Sequence, residues 1–278
     1  MYLIFYDVGH GSCTHLITPN GKHILFDIGG SDDWSPAKYM RDILHVQQLD
    51  ALFITHPHID HFYDIDNLVS HGLKPIIISR VKEAFPVEKT NKNKAFHNQI
   101  EIMNDISATY TSPVPADRDP LLSKNNGGVD ISLFYPDSKW ITPEDPNTFS
   151  GLYVVEYAGI KIVLTGDNNK EILAEMVKCP GIFSKLTNAD YLLAPHHGRE
   201  TDYCDEFFQI VNPKITIISD KSIVHNSQEQ SSNLYHGRGK IVESDVRYVM
   251  TTRKDGNIIL IINQNGSDII KVGEHNGY

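Results

Sequence analysis

Residues 55–61 read Thr55-His56-Pro57-His58-Ile59-Asp60-His61, so four side chains with metal-binding atoms fall at positions 56, 58, 60 and 61. Imidazole nitrogens suit zinc, manganese and iron, and a carboxylate adds a harder oxygen donor. In an extended segment His56, His58 and Asp60 share one side, because side chains alternate with period two. Where such a strand turns into a loop, Asp60 and His61 swing toward a second point. The plain alternative is a solvated polar turn. Burying several imidazoles and a carboxylate together without a cation, however, leaves polar groups unsatisfied.

Two further stretches have the same character. Leu164-Thr165-Gly166-Asp167 ends the apolar run that starts at Lys161. Asp167 reads there either as a metal ligand or as the N-cap of a helix expected over Asn169–Lys178. Leu193-Ala194-Pro195-His196-His197-Gly198 again puts histidine just past an apolar run. That pair reads as a source of a ligand or as two hydrogen-bonded histidines at a turn. All three clusters follow the C-terminal end of an apolar strand, where loops gather in layered α/β architectures. The coincidence favours one shared metal centre. Two divalent ions about 3.5–4 Å apart can share a hydroxide and clamp the oxygens of an in-line displacement. Coordination also brings the pKa of water from ~15.7 to near 7. Phosphodiesters, thioesters, lactones and β-lactams all offer a centre whose developing charge such ions stabilise.

The elements that must carry these loops are readable from apolar periodicity. Strands are expected over 2–7, 14–18, 23–28, 51–55, 75–79, 131–135, 152–158, 161–165, 191–194, 214–219, 247–251 and 258–262. The last two close the chain and are joined by the turn Lys254-Asp255-Gly256-Asn257. Helices are expected over 36–46, 65–71, 95–108, 169–178 and 203–211. The sequence therefore divides into two β-rich halves, each with helices and with no clean linker between them. One domain of two packed sheets flanked by helices follows. Residues 81–128 are the least decipherable; Lys82, Lys89, Lys92 and Lys94 make their first half basic.

The 278 residues carry 25 Lys plus Arg against 35 Asp plus Glu, a formal net charge of −10. That balance argues against a long, sequence-blind surface tracking phosphates, but leaves room for one nucleotide or a strand end. A hydrophobic fraction of 40% excludes wholesale disorder. The first residues lack a basic leader and a cleavage site. No apolar run reaches the ~20 residues that span a bilayer, so no membrane partner is expected. Cys13, Cys179 and Cys204 cannot all pair within one chain and lack zinc-knuckle spacing, which makes a reducing cytoplasm the expected location.

Taken together, these motifs resemble the metallo-β-lactamase fold superfamily, and more narrowly the hydrolase domain of the competence DNA-uptake protein ComEC. That branch opens with Asp-Val-Gly-Gln-Gly-Asp, against Asp7-Val8-Gly9-His10-Gly11-Ser12 here. It continues with a strand end like Phe26-Asp27-Ile28-Gly29, then the histidine cluster, Leu-Thr-Gly-Asp and His-His-Gly. Near the end, Ile217-Ile218-Ser219, His225 and Thr252-Arg253-Lys254-Asp255-Gly256 are similar to its last motifs. The resemblance runs from about Tyr2 to Ile262 and is poor over 81–128.

The resemblance implies an α+β fold, a four-layer αββα sandwich with metals at one edge of the sheets. It implies a single hydrolase domain over 1–278 with a variable insertion around 81–128. Carried over, His56 and His58 hold a first ion, and Asp60 and His61 hold a second. Asp167 bridges both, and His196 completes the second site, with His197 as the alternative. Two divalent ions are implied, zinc first and manganese as the alternative. Asp60 and His225 are the catalytic candidates. His225, Arg199, Arg238, Lys240 and the four lysines are candidates for phosphate contact. The implied activity is that of a phosphodiesterase or nuclease acting on nucleic acid or a nucleotide. A thioester or lactone hydrolase of the same fold is one alternative. A weakly catalytic module in a homo-oligomer or multi-protein complex is another.

Two departures bear on this. Many members place a further histidine before the strand leading to the bridging aspartate, whereas Asn147-Thr148-Phe149-Ser150 has none. The ComEC branch also has Asn and Ser there. The first site is thereby one ligand short, and weaker metal binding or completion by substrate follows. Ser12 removes a carboxylate from the opening loop, and His10 reads as a partial compensation or as a bystander. Asp7 and Asp27 are expected to orient loops or ligands. Trp34 and Trp140 read as buried anchors or base-stacking platforms, Cys13 as a small core residue, and Tyr203 and Cys204 as residues near the site.

Overall fold

The computed structural model describes residues 1–88, 91–221 and 228–273. Short apolar and β-branched runs form most of the strands, as their patterns require. In chain order these are β1 (Tyr2–Phe5), β2 (Thr14–Ile17), β3 (His23–Phe26), β4 (Ala51–Phe53), β5 (Ile77–Ser79), β6 (Asp130–Phe134), β7 (Leu152–Tyr157), β8 (Ile160–Leu164), β9 (Tyr191–Leu193), β10 (Ile215–Ile218), β11 (Lys240–Val242), β12 (Asp245–Arg247), β13 (Val249–Thr251), β14 (Asn257–Ile262) and β15 (Asp268–Gly273). The α-helices are α1 (Pro36–Asp42), α2 (Ile65–Ser70), α3 (His97–Thr109), α4 (Lys170–Met176), α5 (Pro180–Leu186), α6 (Asp205–Val211), α7 (Ser231–Leu234) and α8 (Thr252–Asp255).

One sheet has the order β15-β14-β1-β2-β3-β4-β5, and the other β13-β10-β9-β8-β7-β6; β11 and β12 form a separate ribbon. In both large sheets an antiparallel part gives way to parallel pairing, β3-β4-β5 in the first and β8-β9-β10-β13 in the second. The inner faces meet in a core that includes Phe26, Phe53, Tyr153, Ile162, Leu164 and Ile217. Alternate residues of the same strands point outward. Leu25, Leu52 and Ile54 pack under α1, α2 and α3, while Val154, Val163 and Leu192 pack under α4, α5 and α6. This is the αββα sandwich, and it requires strands apolar on both faces. No helix of the described residues is long and apolar enough to cross a membrane.

Several expectations need correction. The sheets do not follow the two halves of the chain, because β1 takes the late strand β14 as its antiparallel neighbour, Leu3 opposite Leu260. The strands β13 and β14, adjacent in sequence, enter different sheets, with α8 and not a simple turn between them. They also do not close the chain, since β15 adds a further edge strand. The first helix ends at Asp42, short of the expected 46, before the left-handed His45 (φ 54°). Helix α5 was not among the expected helices; Pro180 sits at its first helical positions, where the missing N–H costs nothing.

Candidate metal centre

The site lies where the parallel strands of both sheets end. The parallel register sets Phe26 beside Phe53, so the residues just past them, Asp27 and Thr55, meet. The Thr55 N–H donates to Asp27 Oδ1 (2.8 Å) and its hydroxyl donates to Oδ2 (2.9 Å). With its only proton committed to Asp27, that hydroxyl can only accept from His56 Nδ1 (3.1 Å). The tautomer that follows turns the lone pair of His56 Nε2 inward. His61 Nδ1 donates to Asp27 Oδ2 (2.7 Å). Asp27 is 1% exposed, so this carboxylate acts as a buried peg for the histidine loop.

From the other sheet, Asp167 follows β8, and His196 and His197 follow β9. Asp167 is not a helix cap: Asn169 caps α4, its side chain accepting from the Ile172 N–H. Asp167 instead stands at the centre of the cluster. Its Oδ1 is 3.2 Å from His61 Nε2. Its Oδ2 is 3.7 Å from His56 Nε2, 3.7 Å from His196 Nε2 and 3.6 Å from His197 Nε2. His196 Nδ1 donates to Asp202 Oδ2 (2.7 Å), and His197 Nδ1 donates to the Ser219 carbonyl (3.0 Å). Both histidines have left-handed backbones, φ 47° and 55°. That geometry turns two successive side chains toward one point. His58 Nδ1 lies 3.0 Å from His56 Nε2, and Asp60 Oδ2 lies 3.3 Å from His197 Nε2.

Close backbone approach makes this packing possible. A Cβ on Gly29 would lie 2.5 Å from the Asp60 carbonyl and 2.7 Å from that of Ser12. Only glycine lets the opening loop, the β3 end and the histidine loop meet there. Ser12 contributes through its backbone, donating to Asp60 O (3.3 Å) and accepting from Gly29 N (2.8 Å).

The donor set fits divalent cations. His61 Nε2 and His197 Nε2 are buried and make no hydrogen bond, although both face carboxylate oxygens. Each of these rings, and those of His56 and His196, is oriented by a bond from its other nitrogen, the arrangement that supports metal-bound imidazoles. Two groups bring their ligand atoms within 4.8 Å of one another: His56, His61 and Asp167; and His10, Asp60 and His197. The electrostatics agree. Burial opposes the ionised form of Asp167, but His61, His197 and His56 hold its carboxyl well below the usual range. Burial likewise opposes charge on Asp60, but contact with His197 and the charge of His61 hold it down. Burial opposes charge on His61, yet Asp167 and then Asp27 push its pKa well up. His197 is raised by Asp167 and Asp60 against the same penalty. Burial, with His61 adding to it, keeps His56 well below its ordinary value, and burial lowers His58. The carboxylates thus raise the proton affinity of two imidazoles, the positions a dication would take over.

Of the residues singled out by sequence, His56, His58, Asp60, His61, Asp167 and His196 are brought together, and His197 joins them. His225 and Lys89 lie outside the described residues. Lys240 pairs with Asp268 (2.7 Å), and Arg238 Nε donates to the Asn212 carbonyl (2.8 Å), so both serve the fold. Trp34 packs against Tyr6 and Tyr39, Trp140 joins the outer core of the second sheet, and Tyr203 packs on Tyr235. His71 caps α2, its Nδ1 donating to Asn67 O (2.9 Å). Sequence reasoning missed Asp202 and the Ser219 carbonyl; neither has a periodic or motif signal, and only folding brings them to the histidines.

Comparison with known proteins agrees with this architecture. The family model of the metallo-beta-lactamase superfamily matches residues 7–219. The chain is 24% identical over 274 residues to ComE operon protein 3 of Bacillus subtilis (strain 168), covering 91% of this chain and 32% of that protein. This likeness fits the ComEC-like branch. It is 26% identical over 205 residues to Endoribonuclease YSH1 of Gibberella zeae, covering 68% of this chain and 24% of that protein. The chain therefore spans a third or less of the length of these relatives. Among solved structures, the metallo-beta-lactamase fold protein YhfI from Bacillus subtilis aligns with a TM-score of 0.44 at 14% identity, covering 85% of this chain and 95% of that one. The matched span carries β3, β4, β8 and β9 with every loop that reaches Asp167, and the chain belongs to the metallo-β-lactamase superfamily.

Proposed function

We propose that the chain is a metal-dependent phosphodiesterase or nuclease, a single hydrolase unit holding two divalent ions, zinc first and manganese as the alternative. The observation that carries the reading is the central Asp167 carboxylate, faced by four imidazole nitrogens at 3.2–3.7 Å, one of them the buried, unbonded His61 Nε2. His56 and His58 would hold one ion, Asp60 and His61 the other, and Asp167 both, with His196 or His197 completing the set. When bound, such ions activate water near neutral pH and stabilise charge on a phosphoryl centre. The protein's own part is positioning. Asp27 and Thr55 fix the histidine loop, Asp202 fixes His196, and Ser219 fixes His197. Asp60, 21% exposed and next to His197, is the group suited to orient an attacking water. His225 remains the sequence's candidate for phosphate contact. The nuclease relatives support a phosphodiester substrate.

One observation favours a second reading. A groove of about 610 Å³ beside His58 has an apolar floor including Phe62 and Phe149, and among the described residues its charged edge is Glu83, Glu88 and Glu144, with no Lys or Arg. Such a groove suits a small uncharged or cationic acyl substrate better than a polyanion. A panel separates the two readings: bis-p-nitrophenyl phosphate, single-stranded DNA and cyclic dinucleotides against thioesters and lactones, with elemental analysis of the same protein. Metal-dependent phosphodiester cleavage lost in His58→Ala supports the first. Turnover of thioesters or lactones alone refutes it.

A further inference from the structure

The opening loop brings a histidine to the cluster that the branch motif does not have, since His10 stands where the ComEC-like pattern has Gln. We propose that His10 is itself a protein ligand, joining Asp60 and His197 on one ion. The inference rests on the metal-centre reading above and adds a ligand to it.

Three observations carry it. His10 Nε2 lies 3.4 Å from Asp60 Oδ2, and His197 Nε2 lies 3.3 Å from the same oxygen, so two imidazoles converge on one carboxylate oxygen. His197 Nε2 is buried and makes no hydrogen bond, its other nitrogen being committed to Ser219 O. The loop that carries His10 is clamped by both sheets. The Ser219 hydroxyl donates to Gly11 O (2.7 Å), and Asp7 N donates to Asn257 Oδ1 (2.8 Å). A Cβ on Gly11 (φ 135°) would lie 2.4 Å from Asp60 O, so the loop can sit this close only with glycine there. His10 is 31% exposed against 2% for His197, so it would stand on the solvent side of a bound ion. It would cover a face that a glutamine amide covers poorly. A set of two imidazoles and one carboxylate is richer in nitrogen than the motif provides, and it shifts preference from manganese toward zinc or cobalt.

The test uses the full chain, stripped of metal with a chelator and titrated with Co²⁺, following d–d absorption and competition with a chromophoric chelator. Wild type is expected to take up two ions. His10→Gln, which restores the motif residue, should bind one of them at least about tenfold more weakly, since loss of an outer-shell partner alone costs that much. The absorption of that ion should change as its donor set changes, and His10→Asn should do the same. Two ions bound by wild type and by both folded variants, with equal affinities and equal spectra, overturn the role of His10 while leaving the metal centre standing. No cobalt uptake by wild type overturns the metal centre itself.

Discussion

Replacing Asp27 by Asn removes one negative charge from a position 1% exposed while keeping the side chain's shape. The backbone there is left-handed (φ 61°), a conformation Asn adopts as readily as Asp, so strain does not confound the result. The Asn oxygen can keep the Thr55 N–H. Its amide NH₂ then faces Thr55 Oγ1 and His61 Nδ1, where Oδ2 had accepted at 2.9 and 2.7 Å. His61 must move its proton to Nε2 and present an N–H to the ion in place of a lone pair. Bonds to a charged group are worth about 1.5–3 kcal/mol each, and Asn recovers part of the two, so the folded state should lose about 2–3 kcal/mol. At about 2–4 °C per kcal/mol for a chain of this size, Tm falls by roughly 5–10 °C. Metal affinity should fall about 10–100-fold, or about 1.4–2.8 kcal/mol. One effect opposes this: without Asp27, His61 gives up its proton more easily. Asp167 raises the His61 pKa more than Asp27 does, so the offset is partial. The assay is chelator competition alongside thermal unfolding. Affinity within about threefold of wild type in a natively folded Asp27→Asn protein would refute the reasoning.

Other predictions address the remaining links. Asp167 and neighbouring carboxylates raise the proton affinity of His61 and His197, so a dication binding near pH 7 competes with protons at both rings. Affinity should therefore rise with pH, and calorimetry in buffers of different ionisation enthalpy should show about one to two protons released per chain; buffer-independent heats would contradict this. Gly29→Ala puts a methyl 2.5–2.9 Å from Asp60 O, Ser12 O and Ser12 N, and should cost at least about 2–3 kcal/mol in urea unfolding and lower metal content. Gly181→Ala in α5 meets nothing within 4 Å and should be neutral or slightly stabilising, which makes it the control. His15, fully buried between Tyr6 OH (3.0 Å) and His23 Nδ1 (2.9 Å), has its pKa pushed down to about 3, chiefly by burial. The folded value lies below the unfolded one, so this contribution is complete above about pH 6.5 and is lost as pH falls toward 3. It is worth up to about 4–5 kcal/mol, and His15→Gln should flatten acid unfolding over that window. An unchanged slope would show that the His15 pKa is not depressed in the folded state.

The candidate ligands were legible because their chemistry is local. His56, His58, Asp60 and His61 sit within one short loop, and Asp167 and the His196-His197 pair each end an apolar run that had to be a strand. Which alternative held for Asp167 was not local: Asn169 takes the cap of α4, leaving Asp167 free to face four histidines from two other loops. The anchors were hidden for the same reason. Nothing in Glu200-Thr201-Asp202 distinguishes the third residue as the partner of His196, and a main-chain carbonyl such as that of Ser219 has no signature at all.

The existence of the strands buried on both faces followed from period and composition, because such a strand must be apolar throughout, whereas the exposed β11, β12 and β15 were not foreseen. Sheet membership did not follow. Local sequence cannot tell Val249–Thr251 from Asn257–Ile262 as members of different sheets, and it gives the edge strand Asp268–Gly273 only a weak alternating pattern, since its outer positions face solvent. The sequence by itself thus determined which side chains could bind a cation and that they would stand at strand ends. Tertiary structure decided which of them meet, how each imidazole is turned, and that His10 stands beside Asp60 and His197. The physical reason is that donor chemistry belongs to single residues, whereas distance and orientation come from pairing and packing between segments far apart in the chain.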